Sequence, residues 1–517
     1  MRYSAALILC LLGLAPLQAQ AQGAPLSAID WLRPPAVDMP VTRATPQPTA
    51  PQPAEPPVAS TVGRPQVTVT TLGQPRLDAV GLLPSQVTGL PQSLWQASPA
   101  ARLAQLIAAR NVDRLPAMQA LLFTLLMAEA NAPFDAGPDA PLLQARIDAL
   151  MRLGAVDAAQ SLLERAGAGT PTLFKRWFDA TLLTGDEDRA CAALRAAPHL
   201  SPSYAARIYC LARGGDWPAA ALTFDTARVL GFLGDTEERL VAHFLDPELY
   251  EGEVLPLPPV RPSPLLFRLY EAAGEPLPTA TLPLAFAMSD LRATAGWKAE
   301  LAAAERLART GALPFNRLLG IYTERLPAAS GGIWDRVEAI QRFDTAMRAG
   351  DPGAVARYLP KAWAAMRAAR LEVPFASGYG AELMRLPLPE QAAALAYDIA
   401  LVSPEYETAA LAYGARYPKR QFEPSLARGM PQTPQADPLR VAITLGFSSA
   451  TPPADLAALL ANDQLGEAIL RAMALYEQAA EGDLNALAPA LSTLRALGLE
   501  DTARRAALQL ALLRYRG

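Results

Sequence analysis

Apolar residues recur at the spacing of an α-helix along most of the chain after Ser98. Near the C-terminus two such stripes follow one another: Leu484, Leu487, Ala488, Leu491 and Leu494, and then Ala503, Ala506, Ala507, Leu510 and Leu513. The i, i+3, i+4, i+7 pattern places these side chains on one face of each helix. Pro489 interrupts the first stripe, so we expect that helix to start late or to kink. Because such faces are buried by packing helix against helix, the sequence predicts an all-α fold.

Five Gly-Asp pairs divide the helical region, and their glycines are Gly185, Gly215, Gly234, Gly350 and Gly482. Glycine suits the left-handed residue that ends one helix, and aspartate suits the N-cap of the next. Gly215 follows Gly185 by 30 residues, which is one helical hairpin and close to the tetratricopeptide period of about 34. The chain thus resembles degenerate tetratricopeptide-like solenoids, a resemblance that implies a right-handed α-solenoid of helical hairpins. A compact multi-helix domain is the alternative.

Proline-rich stretches divide the chain into segments, because proline breaks helices and extended proline-rich sequence cannot form a core. The predicted organisation is a signal peptide at 1–21, a disordered Pro-rich tether at 22–62, an extended segment packed on the helices at 63–97, a helical block at 98–250, a Pro-rich connection at 251–283, a second helical block at 284–417, a loop-rich connection at 418–453 and a C-terminal helical block at 454–517. The Pro-rich connection contains a short helical piece at 265–273, and residues 439–445 of the loop-rich connection fit either an isolated strand or a turn of helix.

The first 21 residues have the pattern of a secretory signal. Arg2 supplies a positive charge, Ala5 to Leu17 is an apolar run, and Ala19 and Ala21 are the small residues of a cleavage site. We therefore expect cleavage near Ala21 and export to the periplasm. No later stretch offers about 18 uninterrupted apolar residues, so we expect no transmembrane segment in the mature chain. The alternative is a signal that is retained as an N-terminal anchor.

A short apolar motif precedes the proline-rich part of the tether and consists of Leu26, Ile29, Trp31 and Leu32. Polyproline II geometry, at about 3.1 Å per residue, keeps the sequence after it extended. An apolar motif on a long tether is typical of a docking peptide that reaches a protein partner. The motif equally fits packing on the protein's own helices, so docking in trans and in cis both stay open.

Cys191 and Cys210 are the cysteines that remain after the signal peptide. The sequence predicts two antiparallel helices between residues 186 and 213, which bring the two cysteines to nearly the same height. In an oxidising compartment we expect them to form a structural disulfide. The alternatives are a redox-active pair, for which the C-x-x-C spacing is missing, and a zinc site that also uses His199 and His243.

The sequence carries few residues of the kinds that catalyse reactions. It has two histidines, no Gly-rich phosphate loop and no His-Glu-x-x-His motif. Residues 446–450 resemble a Gly-x-Ser-x-Gly elbow but depart from it at the last position. We therefore predict a protein that is not an enzyme and that uses no cofactor or metal. The net charge of −4 argues against a nucleic-acid partner.

The Ala-rich helical region is similar in composition to the superhelix of soluble lytic transglycosylases, exported proteins with a general-acid glutamate in a catalytic domain. The Glu-Ser and Gly-Leu-Met-Gln motifs of that domain are missing from this sequence. The similarity makes peptidoglycan a candidate partner. It also supplies the alternative function, a cell-wall hydrolase-related or sugar-binding protein with a diverged site.

Arginine outnumbers lysine 42 to 4, and guanidinium groups suit planar, two-point contacts with carboxylates. A groove lined by arginine and aromatic residues is therefore predicted to hold an acidic peptide or cell-wall carboxylates. The predicted groove consists of Tyr204, Arg207, Arg213 and Trp217. A second candidate set consists of Tyr413, Arg416, Tyr417, Lys419 and Arg420. The competing interpretation is that the aromatic residues belong to the core and the arginines to a solvated face.

The expected function is that of a non-catalytic exported scaffold or adaptor that binds a protein partner in the cell envelope. The signal peptide, the tether, the helical array and the missing catalytic motifs together lead to this expectation. A third possibility is a stress-related protein whose helices bind exposed apolar chains.

Overall fold

The computed structural model describes residues 76–416, 421–432, 437–448 and 451–513. Within these residues the regular elements are all helices, apart from one isolated bridge between Leu83 and Ala128, so the all-α prediction is confirmed. In the same part of the chain no helix is both long and apolar enough to cross a bilayer. The predicted signal peptide (1–21), the tether (22–62) and its motif of Leu26, Ile29, Trp31 and Leu32 lie outside the described residues.

The N-terminal part of the fold extends to the end of the predicted Pro-rich connection. Its helices are α1 (Ser85–Thr88), α2 (Ala100–Ala108), α3 (Pro116–Met127), α4 (Pro141–Arg152), α5 (Val156–Ala166), α6 (Pro171–Thr184), α7 (Glu187–Ala196), α8 (Tyr204–Arg213), α9 (Trp217–Val229), α10 (Asp235–Leu245) and α11 (Pro264–Ala272). α11 lies inside the predicted connection at 251–283. It begins there because the Ser263 hydroxyl accepts a hydrogen bond from the backbone N–H of Leu266 at 3.2 Å.

The middle part starts with a 3₁₀ segment, Leu284–Leu291. Its helices are α12 (Trp297–Arg309), α13 (Phe315–Thr323), α14 (Ile333–Ala349), α15 (Pro352–Ala368), α16 (Glu372–Leu383), α17 (Glu390–Leu401) and α18 (Tyr406–Tyr413). Gly350 has a left-handed φ of 61° at the end of α14, and the Asp351 carboxylate accepts from Gly353 N at 2.9 Å to start α15. This Gly-Asp pair thus ends one helix and caps the next.

The C-terminal part contains α19 (Phe422–Ala427), α20 (Pro438–Ser448), α21 (Ala454–Ala461), α22 (Leu465–Ala480), α23 (Leu487–Ala496) and α24 (Glu500–Leu513). The 418–453 connection, predicted to be rich in loops, therefore contains two helices, α19 and α20. A 3₁₀ turn, Leu484–Ala486, precedes α23, and Pro489 is the third residue of α23. A proline is tolerated there because the N–H groups of the first turn have no partner within the helix. The predicted late start of this helix is confirmed.

Helices that follow one another in the sequence pack together, as α5 does with α6, α7 with α8, α14 with α15 and α22 with α23. Helices from the two ends of the described chain pack together as well: α2 contacts α22, and α3 contacts α24. Their buried apolar residues belong to one continuous core that also includes α4 to α11. Most buried apolar residues of α12 to α17 form a second core.

Hydrogen bonds join the two ends of the described chain. The backbone N–H of Ala117 donates to the Gln509 side-chain carbonyl at 2.9 Å, and the Arg110 guanidinium donates to the Leu470 carbonyl at 3.0 Å. In an open repeat array each hairpin contacts its neighbours alone. The early and late helices of the described chain are instead joined directly.

Arg146 anchors the segment that precedes the first long helix. Its side chain is completely buried, and it donates to the carbonyls of Leu126 at 2.8 Å, Ala128 at 2.8 Å and Val80 at 2.6 Å. Arginine fits here because its planar group carries five N–H donors. One buried side chain thus satisfies the C-terminal carbonyls of α3 and holds residues near Val80 against the helices.

Gly81 brings the same segment into direct contact with the end of α3. A Cβ atom at Gly81 would lie 2.4 Å from the carbonyl carbon of Ala128. Contacts this short with backbone atoms cannot be relieved by moving a side chain. The close approach lets Leu82 and Leu83 donate backbone hydrogen bonds to the Met127 carbonyl.

The disulfide between Cys191 and Cys210 is confirmed. It joins α7 to α8, and both cysteines are fully buried. The turn between the two helices contains a short 3₁₀ segment, Pro198–Leu200, and the Ser203 hydroxyl caps α8 by accepting from Ala206 N. The predicted hairpin thus places the two sulfur atoms within bonding distance.

Buried tyrosines join helices through shared carboxylates. The Tyr322 hydroxyl donates to Glu305 at 2.7 Å, and the Arg336 guanidinium contacts both oxygens of the same carboxylate. Burial and the negative charge of Glu305 raise the pKa of Tyr322 far above its usual value. Comparable pairs are Tyr209 with Glu187, Tyr379 with Asp344 and Tyr406 with Asp501.

Candidate functional site

A cavity of about 720 Å³ lies where the C-terminal ends of α2, α4, α12 and α15 come together. Asn111 and Asp113 line it from the loop between α2 and α3, Pro116 from the start of α3, and Leu284 from the 3₁₀ segment before α12. Its arginines are Arg110, Arg114, Arg152, Arg306, Arg309 and Arg370. Asp113 is the acidic residue of the lining, so positive charge dominates the wall. We call this space the arginine cavity.

Some of these arginines have a structural role at helix ends. Arg152 donates from Nη1 to the Ala108 carbonyl and from Nη2 to the Ile107 carbonyl, each at 3.3 Å, and thereby caps α2. Arg309 Nε donates to the Ala369 carbonyl at 2.7 Å at the end of α15. A helix C-terminus carries a partial charge of about −0.5, which a cation stabilises. Several helix ends converge at this cavity, and their carbonyl groups are stabilised by the arginines that contact them.

Burial affects the arginines that lie deeper in the wall. Burial lowers the pKa of Arg110, and the Glu477 carboxylate at 3.5 Å opposes this shift. Burial also lowers the pKa of Arg306, which donates to the carbonyls of Thr279 at 2.8 Å and Leu282 at 2.9 Å. An arginine stays charged at neutral pH because its ordinary pKa is so high. These cations are therefore fixed in place by the fold.

Arg309 lies close to other cations. Burial lowers its pKa, the Glu305 carboxylate at 3.3 Å raises it, and repulsion from Arg370 and Arg336 lowers it again. Glu305 is shared, because its two oxygens lie 2.6 and 2.8 Å from Arg336. The positive charge of Arg309 is thus only partly neutralised, and Arg370 adds a second cation nearby.

Three arginines of the lining, Arg114, Arg152 and Arg370, form no ion pair with the described residues. In the described part of the chain, no carboxylate oxygen lies within 4 Å of the guanidinium groups of Arg114, Arg152 or Arg370. All three residues are exposed to solvent. Arg114 and Arg370 make no hydrogen bond to the described residues, so their N–H groups are available to an anion, for which a guanidinium provides short, charge-assisted hydrogen bonds. Arg152 offers only the donors that remain beyond its bonds to the carbonyls of Ile107, Ala108 and Arg110.

Arg370 has a backbone conformation that is unusual for its side chain. Its φ is 57°, and the N–H of Leu371 donates to the Met366 carbonyl at 2.9 Å, as in a helix end closed by a left-handed residue. Glycine normally occupies that position, and Gly154 and Gly311 do so after α4 and α12. A left-handed L-residue costs about 1–2 kcal/mol. Among the described residues Arg370 shares a positive φ with three other non-glycine residues, Ala140, Ala293 and Asp463, and of the four it is the one that lines the arginine cavity.

A second cavity of about 450 Å³ adjoins the arginine cavity, and we call it the apolar cavity. Pro116, Arg309 and Thr310 line both. The hydrocarbon part of its wall includes Phe123, Met127, Ala155, Ala158, Leu313, Phe315 and Val373. The two cavities therefore place cationic groups directly beside an apolar surface.

The predicted groove residues lie elsewhere, on α8 and at the start of α9. The Arg207 guanidinium stands 5.0 Å from the centre of the Tyr204 ring and donates to the Ser201 carbonyl at 2.7 Å. The Tyr204 ring in turn stacks on Phe232, with centroids 4.9 Å apart. These two groove residues contact one another and form part of a local aromatic cluster.

Arg213 and Trp217 have other partners. Arg213 lies 2.8 Å from the Asp188 carboxylate and 3.6 Å from that of buried Glu187, so its charge is neutralised. Trp217 is 46% exposed and lies 6.0 Å from the Phe244 ring. None of the four predicted groove residues is part of the lining of the arginine cavity.

The second candidate set is described only in part. Arg416 forms an exposed ion pair with Glu390 at 3.3 Å. Tyr417, Lys419 and Arg420 lie outside the described residues, as does the side chain of Tyr413.

The disulfide takes both cysteine ligands away from the alternative zinc site. Cys191 and Cys210 are bonded to one another, so neither offers a thiolate. The ring of His243, on α10, lies 6.3 Å from the ring of Tyr250. Among the described residues, no group of three or more His, Cys, Asp and Glu side chains is placed to hold a metal ion.

Sequence reasoning missed the arginine cavity because its residues are far apart in the chain. Arg110, Arg152, Arg309 and Arg370 follow no local motif, and each lies at a helix end, where a cation is commonplace. The one local signal is Arg370, an arginine in the position where a helix of this chain usually ends on glycine.

Comparison with known proteins finds no matching protein family, no matching characterised protein and no matching solved structure. The chemistry of the lining residues is therefore the basis for the function proposed below.

Proposed function

We propose that this protein is a non-catalytic, exported scaffold of the cell envelope that holds an anionic partner in the arginine cavity. The observation that carries the proposal is the meeting of six arginines with a single acidic residue around a space of about 720 Å³. A cavity of this size accommodates a small ligand or a protruding group of a larger partner.

Rigid placement of the cations favours binding. Arg110, Arg152, Arg306 and Arg309 are held by hydrogen bonds to backbone carbonyls, so little side-chain entropy remains to be lost. Guanidinium groups then offer pairs of donors to a carboxylate or phosphate. This arrangement supports recognition of an anion more than it supports chemistry on it.

The fold is proposed to be a right-handed array of helical hairpins. Packing between successive helices supports the array, and the contacts of α2 with α22 and of α3 with α24 add a closure that holds the cavity wall in place. Export is proposed from the N-terminal sequence, and the buried disulfide is compatible with an oxidising compartment.

Calorimetric titration of the full chain with inorganic phosphate and with a hexaglutamate peptide tests the proposed anion site. We expect binding that weakens as salt is added, because ions screen exposed charges. Arg114→Gln should weaken binding about tenfold, which corresponds to one lost charged hydrogen bond. Arg357→Gln is the matched control, since Arg357 is an exposed arginine of α15 outside the cavity lining. Absence of anion binding, or equal losses in both variants, would contradict the proposal.

Two cellular measurements test the remaining parts. Cell fractionation should recover the chain in the periplasm, and crosslinking in intact cells should capture a reproducible envelope partner that the Arg114→Gln variant captures less well. Release of muropeptides from purified peptidoglycan by the wild-type protein would instead favour the cell-wall hydrolase alternative.

A further inference from the structure

We propose that the ligand of the arginine cavity is a single-chain amphiphilic anion, with a phosphate or carboxylate head among the arginines and a hydrocarbon chain in the apolar cavity. This inference rests on the proposed function, since it names the chemistry of the anion held there. The observation behind it is that Pro116, Arg309 and Thr310 line both cavities.

The boundary between the cavities is suited to the junction of head and chain. The Thr310 hydroxyl donates to the Leu153 carbonyl at 2.7 Å, so its hydrogen-bonding capacity is largely used within the protein. Arg309 keeps donors beyond its bonds to the Ala369 carbonyl and to the Glu305 carboxylate. A charged head at Arg309 would therefore have its chain start directly at the apolar wall.

The apolar wall is formed by well-packed side chains. Leu313 and Phe315 are buried, and Phe123 and Met127 are partly buried on the facing helix α3. A volume of about 450 Å³ falls within the range of small-molecule pockets. Removal of a hydrocarbon chain from water into such a space is favourable in proportion to its length.

An acidic peptide fits this pair of cavities less well. Its backbone N–H and C=O groups would need hydrogen-bond partners in a space walled mainly by hydrocarbon, and leaving them unpaired is costly. An alkyl chain carries no such groups. The combination of cations and apolar wall therefore favours a lipid-like anion over a polyacidic peptide.

The test is calorimetric titration of the full chain, stripped of bound lipid, with inorganic phosphate and with butyl, hexyl and octyl phosphate. We expect affinity to rise about fourfold for each methylene until the apolar cavity is full. Octyl glucoside, which has the chain without the charge, should bind far more weakly than octyl phosphate. Comparing the affinities for octanoate and octyl phosphate shows whether the head is a fatty-acid carboxylate or a phosphorylated lipid headgroup.

Two variants test the contributions of the two cavities separately. Ala120 lines the apolar cavity from an exposed position on α3, so Ala120→Trp should fill that space without disturbing the core. This variant should abolish the chain-length dependence and leave inorganic phosphate binding intact. Arg114→Gln should weaken the binding of every anion about tenfold and leave the dependence of affinity on chain length unchanged. Arg357→Gln should change neither the affinity nor this dependence.

The outcomes distinguish this inference from the proposed function. Equal affinity for all chain lengths, or tighter binding of hexaglutamate than of octyl phosphate, would overturn the amphiphile while the anion site stands. Failure of every anion to bind would overturn both. An Ala120→Trp variant that keeps the full chain-length dependence would place the hydrocarbon elsewhere and overturn the inference as well.

Discussion

Replacement of Arg370 by glycine should stabilise the fold and weaken anion binding at the same time. The φ of 57° at Arg370 costs about 1–2 kcal/mol for an L-residue and almost nothing for glycine. This gain is reduced by about 0.4–1 kcal/mol, because glycine makes the unfolded chain more flexible and so stabilises the unfolded state. The Arg370 side chain is exposed and makes no hydrogen bond or ion pair to the described residues. We therefore expect a net gain of about 0.5–1 kcal/mol in the free energy of unfolding.

Urea unfolding followed by circular dichroism measures the stability, and calorimetry with octyl phosphate measures the affinity. Affinity should fall about tenfold, since one charged hydrogen bond is lost. The matched control is Asp463→Gly. Asp463 has the same φ of 57° after α21, it is also exposed, and it is not part of the cavity lining. The control should gain similar stability and keep its affinity.

Two results would refute the reasoning. A loss of stability in Arg370→Gly would mean that the guanidinium supports the fold, so its strained backbone would need no ligand to explain it. An unchanged affinity would mean that Arg370 does not contact the anion, whatever its effect on stability.

Three further predictions concern the fold. Replacement of Cys191 and Cys210 by serine should lower the free energy of unfolding by about 3 kcal/mol, because the bond closes a loop between residues 19 apart; an unchanged urea midpoint would show that packing alone sets the stability. Gly81→Ala should cost about 1–3 kcal/mol and speed hydrogen exchange at the amide of Leu83, because its Cβ would overlap the backbone at the end of α3; unchanged exchange there would contradict the close approach. Stability should fall as the pH rises above about 10, because unfolded tyrosines ionise there while Tyr209, whose pKa is raised by burial and by Glu187, stays protonated in the fold. Tyr209→Phe should make that slope shallower by one proton, about 1.4 kcal/mol per pH unit, and an unaltered slope would show that Tyr209 ionises in the folded state.

Local features of the fold could be predicted from the sequence. Apolar stripes, Gly-Asp pairs and the spacing of Cys191 and Cys210 depend on residues within one hairpin, and the structure has the helices and the disulfide that they predict. The Gly234-Asp235 pair is an exception, because Gly234, with a φ of −75°, is the N-cap of α10 and Asp235 is the first residue of that helix. The late start of α23 followed in the same way from Pro489. The helix α19 was not predicted, because its short sequence lies among prolines and glycines that favour loops. For α20 the sequence left a strand and a turn of helix open at 439–445, and the structure has a helix there.

Contacts between distant parts of the chain could not be predicted. The bond between Ala117 and Gln509 joins residues 392 positions apart, and no periodicity indicates it. The arginine cavity depends on the same kind of information. Its arginines are ordinary helix-end cations in the sequence, and only the meeting of several helix ends turns them into one positive wall. The predicted groove failed to include them because it was built from neighbours along a single hairpin.

The contacts between α2 and α22 and between α3 and α24 also bear on how the protein is made. A ribosome synthesises the first of these helices hundreds of residues before the last, so α2 and α3 can pack early on α4, but the surfaces that contact α22 and α24 have no partner for most of translation. Completion of their core waits for the final helices to emerge.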